Sequence, residues 1–245
     1  MSIDYQIQKA NKLTTSNQNE EAKIIFQSIL KKFPQNLRAL EGLKKLKIKS
    51  LNIPVSSQSH LIELEKHFNQ RDYTTVIEKG KLYLKNFKEN VHVVQNLLGV
   101  SYEINKEFDH ALESFQSALY LKPDYYEAYY NLGNLYSTLG KFRNAIENYK
   151  QALHFKKDYH QVYNNLGSAY FQINELDLAV SNLNKAINYN PNNINTHNNL
   201  GLLLTNFKKF AEAEKHFKKA IELNPNFYQA FNNLGVSQKE NNNFD

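Results

Sequence analysis

The chain has no cysteine, no tryptophan, one methionine and five prolines in 245 residues. Without thiols it has no disulfides, no thiolate metal ligands and no cysteine nucleophile, and its composition fits a reducing compartment. No stretch approaches the roughly 18 consecutive apolar residues of a membrane span, and the opening MSIDYQIQKANK lacks the apolar core of a secretory signal, so a cytoplasmic protein is expected, with no membrane partner. The eight histidines are scattered, and none sits four residues from another as in a helical zinc site. No glycine-rich phosphate loop is present either. Neither a metal, a cofactor nor a catalytic constellation is expected.

Charge is scarce in a second sense. Residues 1–50 hold ten Lys or Arg against four Asp or Glu, which accounts for the whole net charge of +6, and residues 51–245 hold twenty of each sign. The basic cluster Lys44, Lys45, Lys47 and Lys49 reads as a solvated helix face. No nucleic-acid-binding pattern accompanies it, so no nucleic-acid partner is expected.

What is present is a period. Gly99, Gly133, Gly167, Gly201 and Gly235 lie 34 residues apart, each preceded by Leu. Ala111, Ala145, Ala179 and Ala213 keep the interval, as do Ala118, Ala152, Ala186 and Ala220. A period this strict marks an array of helix pairs. The small residues have a physical reason. A glycine on the first helix of each unit lets the second helix approach, the alanine twelve residues later is its small partner, and Phe115, Tyr149, Leu183 or Phe217 fills the space beside them. The second alanine is placed to face the next unit. Pro123, Pro191 and Pro225 help end one pair before the next begins, with Lys157 at that place in the central unit.

Tyr129, Leu132, Gly133, Tyr136, Ala145, Tyr149 and Ala152 closely resemble the motif of the tetratricopeptide repeat family, lacking only its proline. The resemblance covers four regular units over about 92–225, with a fifth begun near Tyr228 and two eroded ones before them. It implies an all-α solenoid of antiparallel helix pairs wound into a right-handed superhelix, the hand being the family's. It says little of function, because the family is a scaffold for many partners.

In chain order, residues 1–49 read as an eroded hairpin with Ala10, Leu13, Ala22, Phe26 and Ile29 at the small and apolar places. A covering helix follows over about Leu37–Lys47, with Leu40, Leu43 and Leu46 at helical spacing. SLNIPVSSQS, residues 50–59, reads as a linker. The array spans 60–245, with 60–91 degenerate because Glu65 and Ile77 stand where Gly and Ala would be, and 226–245 incomplete: a first helix over Tyr228–Glu240, then a turn over Asn241–Asn243. An unfinished unit leaves Ala230, Phe231 and Leu234 without a hairpin partner, which suggests a piece of a longer product, or a homodimer through that end. The arrangement resembles bacterial arrays that precede a sulfotransferase or glycosyltransferase domain. The alternative to a free-standing scaffold is therefore the substrate-recruiting arm of a transferase.

Stacked pairs curve, and the first helices line the inner side. Helical spacing puts Glu127, Asn131, Asn134 and Thr138 on that side, then Gln161, Asn165, Ser168 and Gln172, then Asn195, Asn199, Leu202 and Asn206, then Gln229, Asn233, Val236 and Glu240. Asn131, Asn165, Asn199 and Asn233 share one place in the repeat. Each amide offers two donors and an acceptor, the complements of a peptide unit, so the ladder suits an extended peptide. It resembles the asparagine ladder in the repeat region of O-linked N-acetylglucosamine transferase, which implies peptide binding at these four positions. The competing explanation is composition, since the chain holds 34 Asn and related repeats are not independent samples. Lys and Arg are almost absent from the lining, which disfavours a carboxylate clamp. The first regular unit departs from the rest with the apolar stripe Val93, Leu97, Val100 and Ile104, expected to lie under the preceding unit or the linker.

Overall fold

A computed structural model describes residues 3–16, 18–34, 36–50 and 56–242. They form fourteen helices and no strand. By internal contacts the chain divides into two compact units, Met1–His60 and Leu61–Asp245.

The first unit holds α1 (Ile3–Thr15), α2 (Asn19–Lys32) and α3 (Leu37–Ser50). Ile7, Ala10, Ala22, Phe26, Ile29, Ala39 and Leu46 form its core. The helix expected over Leu37–Lys47 is present, yet Leu40 is exposed and Ala39, Gly42 and Leu46 are the buried positions. Gly42 lies against the Phe26 ring, and a Cβ there would collide with it. Glycine thus does in this unit what it does in the regular repeats, although Gly42 falls outside their register. The side chains of Lys44, Lys45, Lys47 and Lys49 lie outside the described residues, as do residues 51–55 of the expected linker. The far end of that linker is helical, because α4 (Ser57–Asn69) starts three residues earlier than His60. Ser56 accounts for this by accepting the Ser59 backbone N–H on its Oγ at 3.2 Å, satisfying a donor that the helix start leaves open.

The second unit continues with α5 (Tyr73–Asn86), α6 (Val91–Ile104), α7 (Phe108–Leu121), α8 (Tyr126–Thr138), α9 (Phe142–Phe155), α10 (His160–Gln172), α11 (Leu176–Tyr189), α12 (Ile194–Asn206), α13 (Phe210–Leu223) and α14 (Tyr228–Asn242). In α4 and α5 the core is Leu61, Leu64, Val76, Ile77 and Tyr83, while Glu65 is exposed. From α6 onward the pairs α6–α7, α8–α9, α10–α11 and α12–α13 repeat one packing. Phe115, Tyr149, Leu183 and Phe217 are at most 1% exposed. Each presses on the glycine sixteen residues before it. A Cβ on Gly99, Gly133 or Gly201 would lie 2.5–2.6 Å from the ring, and one on Gly167 would lie 2.8 Å from Leu183. Full burial of such a side chain is worth about 1.5–3 kcal/mol. The alanines at both repeat places, from Ala111 to Ala220, are fully buried.

The connections also follow the period. Each second helix ends with an extended residue, Lys122, Lys156, Asn190 or Asn224, whose N–H donates to the alanine carbonyl four residues back at 2.9–3.0 Å. Lys156 matches the other three, so the missing proline does not alter the turn. Within each pair the turn passes through a left-handed residue: Lys106 (φ 64°), Gly140 (69°), Asn174 (61°) and Lys208 (59°). Only one of the four is glycine. Lysine has a Cβ to accommodate at that φ, so Lys208→Gly is expected to raise stability by about 0.5–1 kcal/mol in urea denaturation. A loss would show that Lys208 is held there by more than its turn.

The tail of the array extends further than its sequence indicates. Asn241 and Asn242, read as a turn, belong to α14, and Asn243 lies outside the described residues. Tyr228, Phe231 and Val236 are exposed along that helix.

Candidate functional site

Within the second unit, the first helices of successive pairs touch one another: α6 with α8, α8 with α10, α10 with α12 and α12 with α14. Among the described residues no two second helices do so. The array therefore curves with α6, α8, α10, α12 and α14 on the inner side, as the 34-residue period predicts.

The ladder asparagines all lie on this side, and they are engaged. Asn131 Nδ2 donates to Asn96 Oδ1 at 2.9 Å, Asn199 Nδ2 to Asn164 Oδ1 at 3.0 Å, and Asn233 Nδ2 to Asn198 Oδ1 at 2.8 Å. Each bond crosses from one first helix to the preceding one, over 35 residues of sequence. The acceptors are the neighbouring asparagines in the repeat, buried at 7–9% exposure, where an unpaired amide would be costly. Asn165 meets Tyr130 rather than Asn at that place. It donates to Asn134 Oδ1 at 2.8 Å and to the Tyr130 hydroxyl at 3.4 Å, while its own Oδ1 accepts from Asn164 Nδ2 at 3.0 Å. The amide pairs are thus staples between repeats. Asn131 and Asn233 each donate once inside the chain and Asn165 and Asn199 twice, so the groove is left with fewer free donors than the composition promises. Asn131, Asn199 and Asn233 keep their carbonyl oxygens without a partner among the described residues.

Two hollows open between the staples. The first, about 290 Å³, is lined by Asn134, Ser137, Thr138, Tyr149, Asn165 and Ser168. The second, about 250 Å³, is lined by Ser168, Phe171, Gln172, Leu183, Asn199, Leu202 and Leu203. Ser168 belongs to both, and its Oγ accepts a 3.1 Å bond from Asn199. Of the residues expected in the groove, Asn134, Asn165, Ser168 and Asn199 are therefore brought together. Asn131 and Asn233 act as staples beyond the hollows, and Gln161 and Asn195 are exposed and line neither. In the apolar stripe, Val93, Leu97 and Val100 pack on the core of α5, α6 and α7, whereas Ile104 is 48% exposed.

Sequence reasoning missed three contributors. Tyr149 was legible only as a filler beside Gly133, yet its hydroxyl emerges in the first hollow and donates to Asn134 Oδ1 at 2.8 Å. Burial and the neighbouring Tyr130 hold that phenol well above the ordinary tyrosine range. Tyr130 borders it, with its ring 5.1 Å from that of Tyr159. Glu103, at the end of α6, accepts a 3.4 Å bond from Thr138 Oγ1. The 35-residue interval from Glu103 to Thr138 is that of Asn96 and Asn131, the one signal in the sequence that pointed to it.

Burial holds the Glu103 carboxyl above the usual glutamate range, against a smaller opposite effect of the Thr138 bond. The unfolded chain ionises this group at lower pH than the folded chain does. Ionised Glu103 therefore detracts from stability at neutral pH, and the penalty disappears below the ordinary glutamate range. Glu103→Gln is expected to raise Tm at pH 7 and to leave it unchanged near pH ~3.5. An equal shift at both pH values would show that charge is not the cause.

His197 is a packing residue. It is 7% exposed, its Nε2 lies 2.8 Å from the Pro191 carbonyl, and its Nδ1 is 3.0 Å from Nδ1 of His216. Burial, then the adjacent His197, lowers the His216 pKa. No group of three or more metal-ligating side chains occurs among the described residues, and no helix there is long and apolar enough to cross a membrane.

Family models described as "TPR repeat" match residues 99–140 and 167–206, and models described as "Tetratricopeptide repeat" match 126–159, 194–227 and 216–245. Together they cover most of the second unit. No curated protein sequence matches the chain. Among solved structures, MamA is 28% identical, with a TM-score of 0.58 over 65% of this chain and 93% of that one. YrrB, described as a TPR protein with an unusual peptide-binding site, is 25% identical, with a TM-score of 0.52 over 69% of this chain and 84% of that one. The Cut9–Hcn1 hetero-tetramer of APC/C shares the fold at 20% identity, with a TM-score of 0.62 over 95% of this chain and 42% of that one.

Proposed function

We propose that this chain, which belongs to the tetratricopeptide repeat family, is a non-catalytic scaffold whose inner groove holds an extended segment of a partner protein. One observation carries this reading. Asn134, Asn165 and Ser168 converge on one hollow, and Ser168 and Asn199 on the next, so polar side chains from successive repeats face two neighbouring hollows that share Ser168. A strip of amides and hydroxyls at regular intervals suits main chain, whose own amides recur regularly. The peptide-binding site ascribed to YrrB, a structure of similar fold, supports the same class of partner.

The staples refine how the groove would grip. The carbonyl oxygens of Asn131, Asn199 and Asn233 are the free ends, so a peptide's N–H groups are the groups they receive best. The test is a titration of the full chain with the uncharged decapeptide (Ser-Gln)₅, followed by amide correlation NMR. Side-chain amide signals of Asn165 and Asn199 are expected to shift. Asn165→Ala combined with Asn199→Ala is expected to weaken binding at least about threefold, corresponding to roughly one lost hydrogen bond, with helicity retained. Unchanged affinity in that variant would remove the ladder as the binding element.

A further inference from the structure

The groove-lining helices have a charge pattern that the neutral balance of the array conceals. Residues 51–245 carry twenty basic side chains. The helices α6, α8, α10 and α12 carry none of them; they carry two carboxylates, Glu103 and Glu127. The lysines and arginines of the regular repeats sit on the second helices and in the connections, among them Arg143, Lys150 and Lys185 on α9 and α11. From α6 to α12, short of α14 with its Lys239, segregation of this kind gives the inner face a field of one sign, and a concave wall of low dielectric concentrates it.

Glu103 stands beside the first hollow, joined to its lining through Thr138. It is half-buried at the end of α6, and its Oε1 accepts from Thr138, which itself lines the first hollow. None of the ion pairs among the described residues involves it. A carboxylate in partial burial with one long hydrogen bond and no cation is an incomplete arrangement, since a buried charge is ordinarily paired. The raised pKa of the group expresses the same deficit. Next to it the side chain of Ile104 is exposed, offering apolar surface for the stem of a long side chain. At the other end of α8 the rings of Tyr126 and Tyr159 already hold a cation. Lys156 Nζ stands 4.8 and 5.0 Å from their centroids, near Glu127. The inner rim can therefore accommodate an ammonium group where acid and aromatic surface coincide.

We infer that Glu103 is a specificity determinant of the groove, pairing with a lysine or arginine side chain of the bound segment, so that the partner is a basic extended peptide. This rests on the groove reading above. An incoming cation would supply the missing counter-ion of Glu103, accept company from the exposed surface of Ile104, and leave the amide staples to the peptide main chain. An acidic segment would meet Glu103, which, unlike Glu127 with Lys156 near it, has no cation among the described residues to offset it, and like charges brought together count against a partner.

The experiment compares three decapeptides, (Ser-Lys)₅, (Ser-Gln)₅ and (Ser-Glu)₅, titrated into the full chain and into the variants Glu103→Gln and Glu113→Gln. Glu113 lies on α7, lining a depression with Gln116 and Tyr120, and serves as a control for general attraction of a polycation. The expected order of affinity is (Ser-Lys)₅, then (Ser-Gln)₅, then (Ser-Glu)₅, the first preference shrinking in about 0.5 M salt. Glu103→Gln is expected to reduce (Ser-Lys)₅ affinity about fivefold while leaving (Ser-Gln)₅ unchanged, and Glu113→Gln to do neither. Equal losses in the two variants, or an undiminished preference in Glu103→Gln, overturn the inference. The groove reading fails by a different result, namely (Ser-Gln)₅ binding that is indifferent to the loss of Asn165 and Asn199. Absence of binding by all three peptides overturns both.

Discussion

Gly133→Ala is expected to destabilise the chain by about 1–3 kcal/mol, and the same substitution at Gly235 to stabilise it by about 0.5–1 kcal/mol. The two glycines occupy one place in the repeat and both are helical, so their intrinsic preference for alanine is equal. What differs is the space beside them. A Cβ on Gly133 would lie 2.5 and 2.6 Å from two carbons of the Tyr149 ring, whereas one on Gly235 would meet nothing within 4 Å. Tyr149 is 1% exposed and its hydroxyl is tied to Asn134, so the ring has nowhere to move without opening the α8–α9 contact. At Gly235 only the entropic benefit of alanine remains. Urea unfolding followed at 222 nm would measure both. Because repeat arrays unfold in part as coupled units, the sign of the change in midpoint is the safer quantity than an extrapolated free energy. Destabilisation at Gly235 equal to that at Gly133 would contradict the packing described for α14.

Combining Asn165→Ala with Asn199→Ala is expected to cost about 2–4 kcal/mol of stability, a larger effect than its influence on peptide affinity. The amide of Asn164 is the reason. It is buried at 9% exposure, donates to Asn165 Oδ1 and accepts from Asn199 Nδ2. Each single substitution removes one of its partners, and the double one leaves both ends of a buried amide unmet. The two losses share Asn164 and are therefore not additive, so a double-mutant cycle should return a coupling energy beyond about 0.5 kcal/mol. The denaturation midpoint provides the measurement, and binding should be titrated well below it. A total loss under about 1 kcal/mol would mean that water replaces the staples readily and that they contribute little to the joining of repeats.

The two results together bear on why three of the repeats carry paired asparagines. An asparagine ladder read from sequence suggests amides waiting for a ligand. In the folded chain they are first of all the inner seam of the solenoid, and a ligand of the proposed kind would receive what the seam leaves over. The two roles are compatible, since an amide has more than one hydrogen-bonding group. They are separable because a staple lowers the midpoint and a ligand contact lowers affinity.

Much of the architecture is contained in the sequence. Glycine and alanine recurring at 34 residues specify helix pairs that nest closely, because only a missing or minimal side chain admits an aromatic ring from the opposing helix. The same periodicity places Asn131, Asn165, Asn199 and Asn233 on one side. It also indicated where the pattern stops, at the eroded units and at α14. Local chemistry was less legible where a single residue overrode a compositional impression. Ser56 starts a helix within a serine-rich stretch read as linker, and Gly42 packs on Phe26 outside the register of the other glycines.

Tertiary structure alone decided which polar groups remain available. Sequence spacing gives the face of a helix on which an amide lies, but not the neighbour within 3 Å, which depends on the rotation and rise between successive pairs. That geometry brings Asn131 to Asn96, sets Asn165 against Asn134 because Tyr130 interrupts the pairing, and raises the Tyr149 hydroxyl into a hollow. It also leaves Glu103 half-buried with no cation among the described residues, and although the 35-residue interval to Thr138 points to the contact, the burial comes from how α6 meets α8. Periodicity determines the frame because packing repeats with the sequence; the character of the groove is settled across repeats, where each contact involves two helices and depends on both.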